Sequence, residues 1–118
     1  MGRGGGGGGF PNTKGGRGNS TIMKDRQDKH IENTKNYNQE IANGKHPSIL
    51  TEDPEELLKE GAGKGQARGT NKEAFDFGRV IGKFFDKKTG QYYNTTRGII
   101  HYDSHGNAHI VPANPFSW

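Results

Sequence analysis

Histidines are concentrated near the C-terminal end of this chain. Three of its five histidines, His101, His105 and His109, lie within nine residues, with Asp103 between the first two. Because imidazole titrates at about pH 6.5, one such ring can remove a proton at neutral pH while a second supplies one. Histidine and aspartate are also ordinary ligands of zinc and manganese. The residue types alone leave three readings open: acid–base catalysis, a metal site, and polar decoration of a hairpin.

The order of the residues predicts that some of these side chains meet. Residues 97–103 have the composition of a strand, and side-chain alternation along it puts His101 and Asp103 on one face. Residues 104–107 are typical of a turn, with His105 among them. His109 begins the return strand and is expected beside His101 or Asp103.

Other candidate residues gain a role only if the fold brings them to the histidines. Thr95, Thr96 and Arg97 directly precede the first histidine strand, and a hydroxyl beside a guanidinium can hold a phosphate. Lys29 and His30 lie near the start of the chain, in polar surroundings typical of a protein surface.

Residues 61–70, GAGKGQARGT, are a glycine-rich basic segment. They do not match a nucleotide-binding P-loop, because that motif needs glycine where Leu58 stands and serine or threonine where Gly65 stands. Backbone N–H groups together with Lys64 and Arg68 offer a looser cradle for a phosphate of a polynucleotide. A solvated connector explains the segment equally well.

The elements that must position these side chains are helices first and strands afterwards. Residues 21–46 are polar and predicted to be helical, with a stop at Asn43-Gly44. A capping segment at Thr51–Pro54 predicts a second helix that ends at Gly61. The extended segments that follow are 73–77, 79–86, 91–96, 97–103 and 109–112. This order predicts an α+β fold.

The charge distribution separates a tail from a domain. The chain has 118 residues, 17 basic and 13 acidic. Residues 1–20 hold ten of the 20 glycines, three basic residues and no acid, which predicts a flexible linker. Residues 21–118 are then one domain with a net charge of 14 − 13 = +1, which excludes a histone-like protein. No apolar run approaches the ~20 residues of a membrane span, and the absence of cysteine excludes thiol-ligated metals.

Taken in order, these residues resemble the polymorphic toxin type 50 domain. Related domains end many bacterial secreted toxins and occur in some phage head-associated proteins. The resemblance covers residues 26–115 and rests mainly on KHIENT at 29–34, IHY at 100–102 and HIVP at 109–112. The turn at 103–108 departs from the family pattern.

The resemblance implies a fold and an activity. The family is grouped with the barnase, EndoU, colicin and RelE-like nucleases, in which N-terminal helices pack on a four-stranded antiparallel β-meander. It implies a metal-independent RNase that needs no cofactor. The catalytic positions carried over are His30, Thr96 (or Thr95), His101 and His109. The expected substrate-binding residues are Lys29, Lys64, Thr95, Arg97 and Tyr102.

Acid–base chemistry by these histidines would act on RNA through the ribose 2′-OH. His101 or His109 would take the hydroxyl proton, and the oxygen would attack the adjacent phosphate to give a 2′,3′-cyclic phosphate. The other histidine, or His30, would protonate the leaving 5′-oxygen. The small net charge argues against tight duplex binding and suits a cleft for one structured RNA, with tRNA as the expected case.

The resemblance also implies partners and a setting. We expect an RNA substrate and a cognate, acidic immunity protein, so that the domain is a monomer or a heterodimer with that protein. The domain would be delivered as the C-terminal part of a larger toxin in interbacterial competition and act in the target-cell cytoplasm. Two alternatives stay open: a metal-dependent nuclease built on the histidine and aspartate cluster at 101–109, and a non-enzymatic phage or RNA-binding module.

Overall fold

A computed structural model describes residues 20–117, so the predicted linker at 1–20 lies almost wholly outside the described residues. The described chain is a mixed α+β structure, as predicted. In chain order its elements are β1 (Thr21–Ile22), α1 (Lys24–Asp28), α2 (Lys35–Ala42), β2 (Ile49–Leu50), α3 (Pro54–Gly61), β3 (Gln66–Ala67), β4 (Lys72–Asp76), β5 (Gly82–Asp86), β6 (Gln91–Thr95), β7 (Arg97–Tyr102) and β8 (Asn107–Pro112).

The polar segment at 21–46 forms two short helices rather than one long one. The break lies at Asn33, whose φ of 68° is a left-handed conformation that no helix continues through. Thr34 then caps α2, with its hydroxyl oxygen accepting the Tyr37 N–H at 3.1 Å. The predicted stop is confirmed, since Asn43 ends α2 and Gly44 has a φ of 81°.

The helix predicted before the glycine-rich segment is α3. The Asp53 carboxylate caps it by accepting the Glu55 N–H at 3.2 Å, and Pro54 fills its first position. Leu57 and Leu58 on its inner face are buried in the core.

The strands are divided between two sheets. One has five strands in the order β1-β8-β7-β4-β3, and the other has three in the order β2-β5-β6. All pairs are antiparallel except β1 with β8. The single four-stranded meander expected from the family resemblance is not confirmed.

The departure from a meander begins directly after β4. Gly78 adopts a φ of 76° and donates its N–H to Asp76 Oδ1 at 2.9 Å, which turns the chain away from the first sheet. The β5–β6 hairpin then pairs with β2, and β7 returns to lie beside β4. This return is what places β4 next to the histidine hairpin.

The core lies on one face of the five-stranded sheet. Along β7 and β8 every second residue is buried, and the buried set includes Ile100, Tyr102, Ala108 and Ile110. The leucines of α3 pack against this face. The intervening residues of β7 and β8, among them the histidines, therefore face away from α3.

Candidate active site

The β7–β8 hairpin holds two histidines face to face. His101 and His109 are direct partners in the antiparallel register, and their rings stack with centroids 4.7 Å apart and planes 14° from parallel. The turn sets this register, because Asp103 Oδ1 accepts the N–H groups of His105 at 2.8 Å and Asn107 at 2.9 Å. The predicted return of His109 beside His101 or Asp103 is confirmed, with His101 as its partner.

The stacked pair lies in a cleft of about 190 Å³, which we call the histidine cleft. Both rings are only partly exposed. The residues that line it are Met23, Arg26, Asn71, Lys72, His101, Tyr102, Asp103, Asn107, Ala108 and His109. They come from α1 and its approach, from β4 and its approach, and from the hairpin, so that non-local packing builds the cleft.

Helix α1 is attached to the hairpin by one buried side chain. The Gln27 amide is 1% exposed and makes two bonds to the Ile110 backbone: its Nε2 donates to the carbonyl oxygen at 2.9 Å, and its Oε1 accepts the N–H at 2.7 Å. The side-chain amide thus makes with β8 the two hydrogen bonds that the backbone of a neighbouring strand would make. It fixes the helix that carries Arg26 and ends just before Lys29, and the charge of Lys29 helps to lower the pKa of His109.

His30 approaches the same site from the end of α1. Its Nδ1 lies 2.8 Å from the carbonyl oxygen of Ser48, and its own carbonyl accepts the Leu50 N–H at 2.7 Å. Because a carbonyl oxygen only accepts, Nδ1 carries the proton and Nε2 is the nitrogen left for proton exchange. Burial lowers the pKa of His30, against a smaller opposing effect of the Ser48 bond.

The histidine cleft keeps its imidazoles uncharged. Burial lowers the pKa of both His101 and His109 to about 4. Positive neighbours act in the same direction: Lys72, His30 and Arg26 on His101, and His101, His30 and Arg26 on His109. His30 lies near enough to both rings to contribute to these shifts, although it does not line the cleft. With pKa values of about 4, both rings are neutral at pH 7.

Two cations, Arg26 and Lys72, line the cleft beside these rings, and Lys29 lies near enough to help lower the pKa of His109. Lys72 is the direct partner of His101 in the β4–β7 register, so it stands in the same cross-strand row as the stacked pair. Arg26 lines the cleft from α1. Among residues 20–117, no carboxylate forms an ion pair with Arg26, Lys29 or Lys72. These cations have no carboxylate partner in the described chain, although the Asp103 carboxylate also lines the cleft, and they offer positive charge to an anion such as a phosphodiester.

The backbone N–H groups of the glycine-rich segment hydrogen-bond to a carboxylate of the protein itself. The Glu73 carboxylate, 0% exposed, accepts the N–H groups of Gly63 at 2.7 Å and Gly65 at 2.8 Å and the hydroxyl proton of Tyr102. These two N–H groups therefore already have hydrogen-bond partners within the fold. Lys64 lines a separate groove with residues 65–66 and 74–76.

The threonines and Arg97 lie at the far end of β7 from the histidine. The Thr95 hydroxyl is 1% exposed, donates to the Ala113 carbonyl at 2.7 Å and accepts the Arg97 N–H at 3.1 Å. Thr96 hydrogen-bonds the Asp76 carboxylate, and Arg97 lies 3.8 Å from it. Arg97 stands four positions before His101 in the strand, or about 13 Å from the histidine row.

Of the predicted site residues, the structure brings His101 and His109 together in the cleft and places His30 and Lys29 near it, outside the residues that line it. Tyr102 contributes to the cleft wall while its ring faces the core and bonds Glu73. The other predicted residues, Lys64, Thr95, Thr96 and Arg97, lie outside the histidine cleft.

Three residues that sequence reasoning missed are Arg26, Gln27 and Lys72. Arg26 stands four residues before His30, a spacing that places two side chains on one helical face and was a usable signal. No local pattern marks Lys72, because its position depends on the pairing of β4 with β7. Among residues 20–117, no three histidine, cysteine, aspartate or glutamate side chains are grouped so as to hold a metal ion.

The chain matches a known protein family. A family model described as bacterial toxin 50 matches residues 22–112, which run from the end of β1 to the end of β8. The chain belongs to the bacterial toxin 50 family. The matched range holds His30, His101 and His109, so the histidine cleft lies within the toxin domain. No curated protein and no solved structure matches the chain. In residues 20–117 no helix of the toxin domain is long and apolar enough to cross a membrane.

Proposed function

We propose that this toxin domain is a metal-independent endoribonuclease whose acid and base are the imidazoles of the histidine cleft. The observation that carries the proposal is the stacked pair, His101 and His109, set in a cleft among cations without carboxylate partners in the described chain. Two facing imidazoles next to an anion site are what a phosphodiester transfer needs.

The close stacking limits the pair to one proton at a time. A second proton would put two positive rings 4.7 Å apart beside Arg26 and Lys72, which like-charge repulsion opposes. A bound phosphodiester brings one negative charge and raises the affinity of the pair for the first proton. The substrate complex then contains one neutral ring and one imidazolium, which are the base and the acid of the reaction.

In the chemical step, one bond to phosphorus forms and one breaks within the RNA, and each of the two rings transfers one proton. The neutral ring accepts the 2′-OH proton while the 2′-oxygen forms a bond to phosphorus, and the phosphorus–5′-oxygen bond breaks. The imidazolium gives its proton to the departing 5′-oxygen, leaving a 2′,3′-cyclic phosphate and a 5′-OH. Arg26, Lys72 and Lys29 stabilise the charge that builds up on the phosphoryl oxygens.

The substrate and setting follow from charge and from the family. DNA lacks the attacking hydroxyl. The net charge of +1 outside residues 1–19 suits a local cleft for structured RNA such as tRNA more than a surface for duplex binding. As part of a larger toxin used between bacteria, the domain would act in the target-cell cytoplasm and be blocked by an immunity protein, whose expected acidity matches the cations of the cleft.

The test is cleavage of RNA in the presence of EDTA. Purified protein is incubated with total tRNA and with a synthetic RNA, and the product ends are identified by mass spectrometry. We expect 2′,3′-cyclic phosphates, and no cut at a position where the 2′-OH is replaced by hydrogen. Activity lost in EDTA and restored by a divalent ion would instead favour a metal-dependent nuclease. A wild-type domain that neither cuts RNA nor harms bacteria would favour a non-enzymatic module.

A further inference from the structure

A row of three aromatic rings lies on one face of the β5–β6 hairpin, outside the histidine cleft. The Phe85 ring stacks on His46 with centroids 4.8 Å apart and planes 25° from parallel, and its centroid lies 5.0 Å from that of Tyr92. Phe85 therefore contacts both other rings, and His46 forms one end of the row. His46 is exposed although Phe85 covers one face of its ring, so the opposite face meets solvent.

The loop before β2 holds this end of the row in place. His46 precedes Pro47, and a residue before proline is restricted to extended backbone. The Tyr92 hydroxyl donates to the Pro47 carbonyl at 3.1 Å, and the Ser48 hydroxyl oxygen accepts the Phe85 N–H at 3.1 Å. The backbone of His46 and the ring behind it are therefore fixed before a ligand binds, which reduces the entropy that binding would cost.

The same loop contacts His30, beside the histidine cleft. The Ser48 carbonyl oxygen lies 2.8 Å from His30 Nδ1, and Ser48 stands two residues after His46, a separation of at most about 7 Å along the chain. His30 in turn lies near enough to His101 and His109 to help lower the pKa of each. Successive phosphates of a stacked strand lie about 3.4 Å apart along its axis. A strand with one phosphate in the cleft can therefore reach His46 within a few nucleotides.

Positive charge accompanies the exposed ring. Lys83 is exposed and, by alternation along β5, lies on the same face of the hairpin as Phe85. Within residues 20–117 no carboxylate forms an ion pair with Lys83, whereas Lys45 is paired with Glu40 at 3.7 Å. This face combines a solvent-facing ring with an ammonium group that has no acidic partner. Proteins hold single-stranded nucleic acid in this way, with bases on rings and phosphates on cations.

We propose that His46, backed by Phe85, is a stacking subsite for an unpaired nucleobase that flanks the cleaved bond, with Lys83 as a phosphate contact. Every base has a face that stacks on an aromatic ring, so this subsite senses whether a nucleotide is unpaired rather than which base it carries. A base inside a duplex is stacked between its neighbours and is not available to the ring. This inference rests on the proposed ribonuclease function and adds that the cut lies in or next to a single-stranded stretch of the RNA.

The experiment measures binding without cleavage. A labelled, short single-stranded RNA carries 2′-O-methyl groups that block the attacking oxygens, and fluorescence anisotropy gives its Kd. In one series of such RNAs, each base in turn is replaced by an abasic site. We expect one position at which loss of the base raises the Kd of the wild type about fivefold or more. The same loss should change the Kd of His46→Ala by less than about twofold, because the ring that the base stacks on is already absent.

Two variants serve as controls for the ring. His46→Phe keeps an aromatic face and should bind like wild type. Phe116→Ala removes another exposed ring, one that packs edge-on against Tyr93 on the opposite face of the hairpin, and should keep both the affinity and the abasic-site effect. For the charge, Lys83→Gln should lower the slope of log Kd against log salt by about 0.7, the value for one phosphate contact on a single strand.

Abasic-site effects of equal size in the wild type and His46→Ala at every position would overturn the subsite. His46→Gln also presents no aromatic face and gives the same comparison if His46→Ala does not fold. A wild type whose binding no abasic site weakens would overturn the subsite as well, and an unchanged salt slope in Lys83→Gln would overturn the phosphate contact. Cleavage of unmodified RNA tests the proposed function separately, so a domain that cuts RNA but lacks this coupling loses the subsite alone.

Discussion

The two β-hairpins of this domain are built alike and differ in what their paired rings can do. In each, an aspartate carboxylate accepts backbone N–H groups of the turn, one at Asp86 and two at Asp103, and a glycine with positive φ follows: Gly90 at 74° and Gly106 at 84°. In each, two rings stand directly opposite one another. Phe85 and Tyr92 lie 5.0 Å apart and tilted by 57°, while the histidine rings lie 4.7 Å apart at 14°.

The surroundings of the two ring pairs explain the difference. Phe85 also stacks on His46 at 4.8 Å, and the Tyr92 hydroxyl donates to the Pro47 carbonyl at 3.1 Å, so this pair joins β5 and β6 to the loop before β2. The histidine pair instead faces α1 and Lys72 across the cleft. A cross-strand ring pair is therefore a general packing device, and ring chemistry with neighbouring charge makes one of the two a candidate site.

The largest effect is expected when one hairpin is given the rings of the other. The double variant His101→Phe with His109→Tyr keeps two stacked rings and removes both proton-transfer groups. RNA cleavage should fall by about 10²–10⁴-fold or more, because acid and base are lost together. Rates on a synthetic RNA measure this. His46→Phe is the matched control and should cleave like wild type; substantial activity in the double variant would contradict the proposed roles.

The second effect concerns the attachment of α1, which only the histidine hairpin has. Gln27→Met fills a similar volume but leaves the Ile110 N–H and carbonyl without their partner in a buried position. The free energy of unfolding should fall by about 2–4 kcal/mol. Urea denaturation measures it.

Gln91→Met is the control for this experiment, because Gln91 is exposed at the start of β6 in the other hairpin. It should change stability by less than about 0.5 kcal/mol. Equal losses in the two variants would show that the Gln27 amide does not secure α1.

The third prediction concerns the positive charge of Arg26 beside the histidine pair. Arg26→Gln should lower kcat/KM for RNA by about 10- to 100-fold, since a charge-assisted contact to the phosphate is lost. Stability should change little because Arg26 is exposed. Lys88→Gln, in the turn of the other hairpin, removes an equal charge and should leave kcat/KM near wild type. The same loss in both variants would indicate general attraction of RNA.

The last effect is a pH dependence of stability. Folding lowers the pKa of both His101 and His109 from an ordinary 6.5 to about 4. Between these values the unfolded chain takes up protons that the folded chain does not, so the pair makes stability fall as the pH drops from 6.5 towards 4. The Phe–Tyr double variant should lose stability less steeply over this range in thermal melts. An identical slope would mean that the pair is not held neutral.

Much of the local structure followed from the sequence. The capping segment before Pro54 and the stop at Asn43-Gly44 were confirmed, because a cap and a left-handed glycine act within one turn of chain. The two-residue strands β1, β2 and β3 were not predicted. Such short strands have no pattern of their own and exist only because a distant strand offers its free edge.

The sequence by itself determined that His109 returns beside His101 or Asp103, since alternation along two strands and the turn between them are local properties of the residues at 97–112. The register of the hairpin then makes His101 its partner. The tertiary structure alone decided which charges face that pair. Arg26 arrives through the bonds of Gln27 to β8, and Lys72 through the pairing of β4 with β7 past an intervening hairpin. Those pairings are chosen by the burial of apolar side chains far apart in the chain, which no local pattern encodes.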